Sequence, residues 1–188
     1  MIIGCVLFFL NRENSKGKEL KEMLHFLYDR HRITKRSIPM NSDLEDYLIK
    51  GDFEQAFHIA QTISYDELEK QMLYLAYENE SIANYTFINL LLIELESWKL
   101  HGIAYKLLTS SLSFIEGAYV SAAYHARKAI EITSYQEIGP LEDLLFLYTE
   151  SLTLVSQQEA LRLAKDILNL EEDHKLAKQV IGKLSNVE

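Results

Sequence analysis

Only two prolines, Pro39 and Pro140, and seven glycines interrupt 188 residues, and that scarcity constrains the fold more than any motif does. A sandwich or barrel turns every ~8–12 residues and spends Gly and Pro on many of those turns. A chain with so few breakers is expected to run in helices joined by short turns. Apolar residues make up 48% of it, enough to fill a core, which argues against a disordered polymer. One Cys and no Gly-X-Y period exclude disulfide scaffolds and collagen-like assemblies. At this length one domain or a short repeat array is expected, burying roughly 70% of the unfolded surface.

From Lys18 onward the apolar period is helical almost everywhere. Leu20, Leu24, Leu27 and His31 form one stripe of a first helix, 18–33, which Ile38-Pro39 ends because proline pushes the residue before it out of the α region. Asn41 or Ser42 caps a helix over 43–49, with Glu45 at the capping-box position. Asp52 caps the next, striped by Phe53, Ala56, Phe57 and Ala60. Ser64, with Glu67 behind it, opens helix 65–79. After a turn at Asn79-Glu80-Ser81, helix 82–98 is apolar nearly all round and is expected to be enclosed on several sides. His101-Gly102 reads as the following break, then come helices 103–115 and 118–132, a loop at Gly139-Pro140, and helices 141–154, 157–168 and 173–184. Two regions follow: 1–40, an apolar segment with a basic capping helix, and 41–188, a single helical-repeat unit.

The charge is uneven. The chain carries −9 in all, yet residues 1–40 hold eight Lys/Arg against four acids. The simple reading is a basic helix lying on an acidic body; nucleic acid is an unlikely partner, since Arg30, Arg32, Lys35 and Arg36 alone give weak, salt-sensitive binding. Met1–Leu10 (MIIGCVLFFL) is too short to span a bilayer as a helix, which takes about 20 residues. No basic residue precedes it, so it does not read as a secretory leader, and Ile2-Ile3-Gly4-Cys5 is a chance match to a lipobox. Burial or self-association is expected of it. The lone Cys5 fits a reducing, cytoplasmic setting.

The helix pairs resemble tetratricopeptide repeats (TPR). Tyr47–Gly51–Ala56–Ala60–Ile63, Tyr77–Ser81–Thr86–Leu90–Ile93, Gly117–Ala122–Ala126–Ala129 and Val155–Ala160–Ala164–Ile167 follow the family's order of turn residue and small or apolar residues. The small position recurs at 56, 86, 122 and 160, near the ~34-residue period of that family. The match covers about residues 40–170 and is degenerate: the proline after each second helix is missing, and Leu44, Tyr74 and Tyr148 are bulky where the first helix wants a small residue. The resemblance implies an all-α fold, a right-handed α-solenoid of stacked antiparallel hairpins, with an N-terminal helix and a C-terminal capping helix over 173–184. It further implies a non-enzymatic scaffold that binds a peptide or protein on a concave face, lined by Asn41, Glu45, Gln71, Leu75, Glu78, Ser111, Phe114, Thr149 and Leu152. Amides there would hold a peptide backbone and apolar side chains its residues. More loosely, the chain is similar to the helical half of bacterial peptide-pheromone receptors, which makes a peptide-sensing or nucleic-acid-associated regulator the alternative.

Motifs for chemistry are sparse. The sequence has no GxGxxG, GxxxxGK[ST], GxSxG or HExxH, and Cys5 lacks a basic neighbour to activate it. Glu-x-x-His occurs at Glu22/His25 and Glu171/His174, the spacing of a di-iron site, but the first lies on a polar helix face and the second in a turn, so no metal or cofactor is expected. The six histidines form no i, i+3 or i, i+4 pair; His58 and His125 are expected to pack or to face solvent. Glu94, set among Leu91, Leu92, Ile93 and Leu95, is expected at the polar edge of its helix. If buried opposite a second titratable group, it would instead centre an all-helical enzyme site.

Overall fold

The structure, a computed structural model, describes residues 42–149 and 153–185. The apolar segment Met1–Leu10, the basic helix 18–33 with Glu22 and His25, the basic cluster 30–36, and the groove candidates Asn41 and Leu152 lie outside the described residues. Among the described residues the fold is all-helical: α1 (Ser42–Lys50), α2 (Phe53–Ala60), α3 (Tyr65–Asn79), α4 (Ile82–Glu94), α5 (Trp98–Thr109), α6 (Ala118–Ile132), α7 (Ile138–Thr149), α8 (Gln157–Leu170) and α9 (Lys175–Ser185). No helix among them is long and apolar enough to cross a membrane.

Short polar residues start these helices by accepting otherwise orphaned N–H groups. Asp52 accepts from Gln55 N, Ser64 from Glu67 N, Ser81 from Ala83 N, Ser97 from Lys99 N and Ser156 from Glu159 N. Gly117, at φ +80°, makes the left-handed turn into α6 without strain. Glu80 ends α3 in the same region at φ +48°, where its N–H still reaches Ala76 O.

Several boundaries differ from expectation. The single helix 82–98 is two: α4 stops at Glu94, Leu95 leaves the helix at φ −142°, and the Ser97 cap starts α5 at once. His101-Gly102 is therefore no break but the second turn of α5; the Ser97 cap and the buried neighbours Leu100, Ile103 and Ala104 outweigh one glycine's poor propensity. Likewise α7 begins at Ile138, before Gly139-Pro140. Pro140 sits in the first turn, where its missing N–H costs no hydrogen bond.

Helices pack on their sequence neighbours, as α1 on α2, α5 on α6, α6 on α7 and α7 on α8, and the odd-numbered helices also pack in series, α3 on α5, α5 on α7 and α7 on α9. Small residues permit this. Ala56, Ala122 and Ala160 are wholly buried, as expected where helix axes close to ~8–10 Å. Thr86, the fourth position of that series, is exposed; the buried side of α4 is formed by Asn84, Phe87, Ile88 and Leu91 instead. One core runs through α5–α9, from Tyr105 and Leu108 through the α6 alanines, Leu141, Leu144 and Leu145 to Leu163, Ile167, Ala177 and Val180. Polar links tie successive rows. Tyr105 donates from its hydroxyl to Asp143 O at 2.7 Å, joining α5 to α7. Lys106 pairs with Glu69 of α3. Arg127 of α6 forks onto Glu159 of α8, both contacts at 3.1 Å, and donates to Leu154 O at 2.7 Å. On α9, Lys175, Lys178, Gln179 and Lys183 face outward, as a terminal helix requires.

Candidate functional site

The expected concave-face residues do not form one open surface. Gln71 and Leu75 are 3% and 1% exposed. Gln71 spends its amide N–H on Glu67 Oε1 at 2.8 Å within α3, so neither residue presents a side chain to a partner. Ser111 and Phe114, placed by the sequence on a helix, lie in the turn between α5 and α6, Phe114 largely exposed. The shift follows from α5 beginning at Trp98 rather than 103: the helix is complete by Thr109. Glu45 is half-buried on α1, Glu78 is exposed near the end of α3, and Thr149 is half-buried at the end of α7, donating to Phe146 O at 2.7 Å. Asn41 and Leu152, outside the described residues, cannot be placed on it.

The open apolar surface is elsewhere. Helix α4 is not enclosed as its composition led us to expect. Ile82, Leu90, Ile93 and the following Leu95 are 49, 37, 76 and 50% exposed. Beside this stripe lies a cleft of about 310 Å3, lined by Ala60 at the end of α2, Gln61 and Ile63 after it, Tyr65 and Leu68 of α3, Leu91 and Leu95 at the end of α4, and Leu100 of α5. Its walls meet because α4 stops early: Leu95 turns out of the helix there instead of continuing along it. At the edge, the Lys99 ammonium lies 5.7 Å from the ring centres of both Tyr65 and Trp98. The volume is at the small end of ligand sites, and apolar walls with a few polar groups are what such sites use.

Glu94 is exposed, so the premise of an enzyme site around a buried Glu94 is not met. Glu171 is exposed as well, and His174 pairs with Glu142 Oε1 at 3.5 Å across to α7. No group of three or more His, Cys, Asp or Glu among the described residues is arranged to hold a metal.

One buried polar arrangement among the described residues is not revealed by local spacing. His101 (α5) and His125 (α6), 24 residues apart, face each other with Nδ1 to Nδ1 at 2.8 Å. Nε2 of His125 meets the hydroxyl of Tyr85 (α4) at 2.9 Å, and Nε2 of His101 lies 3.5 Å from Glu96 Oε1 in the α4–α5 turn. The imidazoles are 3% and 1% exposed, while Glu96 is exposed. Burial pushes the His125 pKa down to about 4, with the His101 charge adding to it. Burial also lowers His101, against the opposing pull of Glu96. The apolar face of α6 around His125 was legible; its partner was not, because the two histidines share no helix. His58, by contrast, is exposed.

Comparison of the chain with protein-family models, with curated proteins and with solved structures finds no match.

Proposed function

We propose that the chain is a non-enzymatic helical-repeat scaffold, its hairpins stacked as a right-handed TPR-like α-solenoid, which holds an apolar segment of a peptide or protein partner. The serial packing of α3, α5, α7 and α9, together with neighbour-on-neighbour packing, supports the stacking. The observation that carries the binding role is the cleft flanked by the open α4 stripe, with Leu95 belonging to both. An apolar surface left open costs solubility unless something occupies it, so such patches mark interaction sites. The working surface is accordingly the α2–α5 cleft, not the residue set that the family resemblance implied. One leucine or phenylalanine side chain of a partner suits its size.

Selection of random peptides displayed on phage against the protein, with counter-selection on Leu95→Asp, tests this reading. Trp98, the single tryptophan, shares the Lys99 ammonium with Tyr65 of the cleft wall and reports occupancy by fluorescence. Recovered peptides should share an apolar anchor and bind Leu95→Asp about tenfold more weakly or worse, since burying one leucine contributes about 1.5–3 kcal/mol. Absence of enrichment, or equal affinity for the variant, would reject the cleft as the binding surface.

A further inference from the structure

We propose that Tyr85, His125, His101 and Glu96 form an acid-operated latch, a hydrogen-bonded chain that ties α4, α5 and α6 together when both imidazoles are neutral and parts when both are charged. The direction of the chain is dictated from one end. An ionised carboxylate only accepts, so the ring nitrogen facing Glu96, His101 Nε2, carries the hydrogen. In a neutral imidazole the other nitrogen then accepts, so His101 Nδ1 receives Nδ1–H of His125. His125 Nε2 is left as an acceptor, and the Tyr85 hydroxyl donates to it. A single set of tautomers thus satisfies both buried rings, which is what keeps two imidazoles inside at low cost.

The titratable and charged groups around the pair come from three elements. Tyr85 reaches it from α4, Glu96 from the α4–α5 turn, and Tyr124 and Lys128 from α6. Lys128 is committed to Glu131 at 2.8 Å. Among the described residues Glu96 is the anion that acts on His101, and it favours a first proton there.

That first proton does not break the latch. With both nitrogens of His101 protonated, His101 Nδ1–H donates to His125 Nδ1; His125 shifts to its other tautomer, its Nε2–H donates to the Tyr85 oxygen, and the chain runs in reverse. A second proton has no such accommodation. It places N–H groups on both sides of a 2.8 Å gap between two buried cations, and the rings must separate. Opening is thus a two-proton event, steeper in pH than one histidine titrating alone. The depressed pKa values agree, with His125 charging last.

The full chain labelled with 15N-histidine, followed by ring-nitrogen NMR and Trp98 fluorescence from about pH 7.5 to about pH 4, tests the latch; this range spans the ordinary histidine pKa and the value His125 has here. At the neutral end His101 should be the Nε2–H tautomer and His125 the Nδ1–H tautomer, and an acid transition steeper than one proton should follow. His101→Gln and His125→Gln should lose that steepness. Glu96→Gln changes an exposed side chain and so keeps the fold; the closed form with His101 charged loses the anion that stabilises it, so the latch should open at higher pH. The opposite tautomers at the neutral end, a one-proton transition in the wild type, or a Glu96→Gln profile that overlays the wild type would overturn the proposal, whether or not the histidine variants fold.

Discussion

Two residues of α6, His125 and Arg127, reach in different directions and hold different neighbours by different chemistry. His125 joins α6 to α4 and α5 through uncharged, buried hydrogen bonds. Arg127 joins α6 to α8 through a charged fork onto Glu159 and a bond to Leu154 O, at a seam that water still reaches. A guanidinium keeps its charge at every pH of practical interest, whereas an imidazole changes its own near neutrality. One helix therefore carries a seam that answers to pH and a seam that does not. Polar links between stacked helices are not interchangeable, even when both are well satisfied in geometry.

The comparison can be broken or sharpened by stability measurements. Leu145→Ala should have the largest effect. The side chain is wholly buried in the core of α5–α9, and truncation there costs about 2–5 kcal/mol. Urea unfolding at neutral and acid pH should show the same loss at both, because an apolar cavity does not titrate. A loss confined to one pH would mean that the core and the histidine seam are not separable.

Next in size is the pH dependence of the wild type itself. Burial holds His125 at about 4 against the ordinary 6.5, so the unfolded chain binds more protons as the pH falls. The contribution is complete above about pH 6.5 and drains away towards about pH 4, for a total of about 3 kcal/mol. Denaturant midpoints across that window measure it, and a flat profile would show that His125 is not buried as described. Arg127→Ala should be smallest, about 1 kcal/mol, because the pair is partly solvated. Its cost should be equal at both ends of the window. If it grew in acid, the two seams would be coupled through α6.

Local chemistry made much of the helical layout readable. Helices 65–79 and 118–132 are where periodicity and caps put them, since Ser64 and Gly117 act within one turn of their own positions. The errors have a common origin: tertiary packing overrode a local signal. Gly102 reads as a breaker, but buried Leu100, Ile103 and Ala104 hold it inside α5. Gln71 reads as a groove amide, but α3 turns that face inward. Composition makes α4 look enclosed, yet which side of an apolar helix is covered depends on neighbours that no window of sequence contains. The same limit hid the histidine chain, whose links span 24 and 40 residues. Glu94 is exposed, as expected, but beside the open Ile93 and Leu95 and not on a polar edge.

The buried alanines of α6, at 118, 122, 123, 126 and 129, have a consequence for how freely this chain can change over generations. Leucine and isoleucine can trade places in a core with modest repacking, but an alanine seated where two helices nearly touch has no larger substitute that leaves their spacing alone. Glycine would fit the space and weaken the helix by about 1 kcal/mol; serine would bring a hydroxyl in search of an acceptor. The permitted alphabet along that stripe is nearly a single letter, while the outward positions Val120 and Ile132, open to solvent, are free to drift.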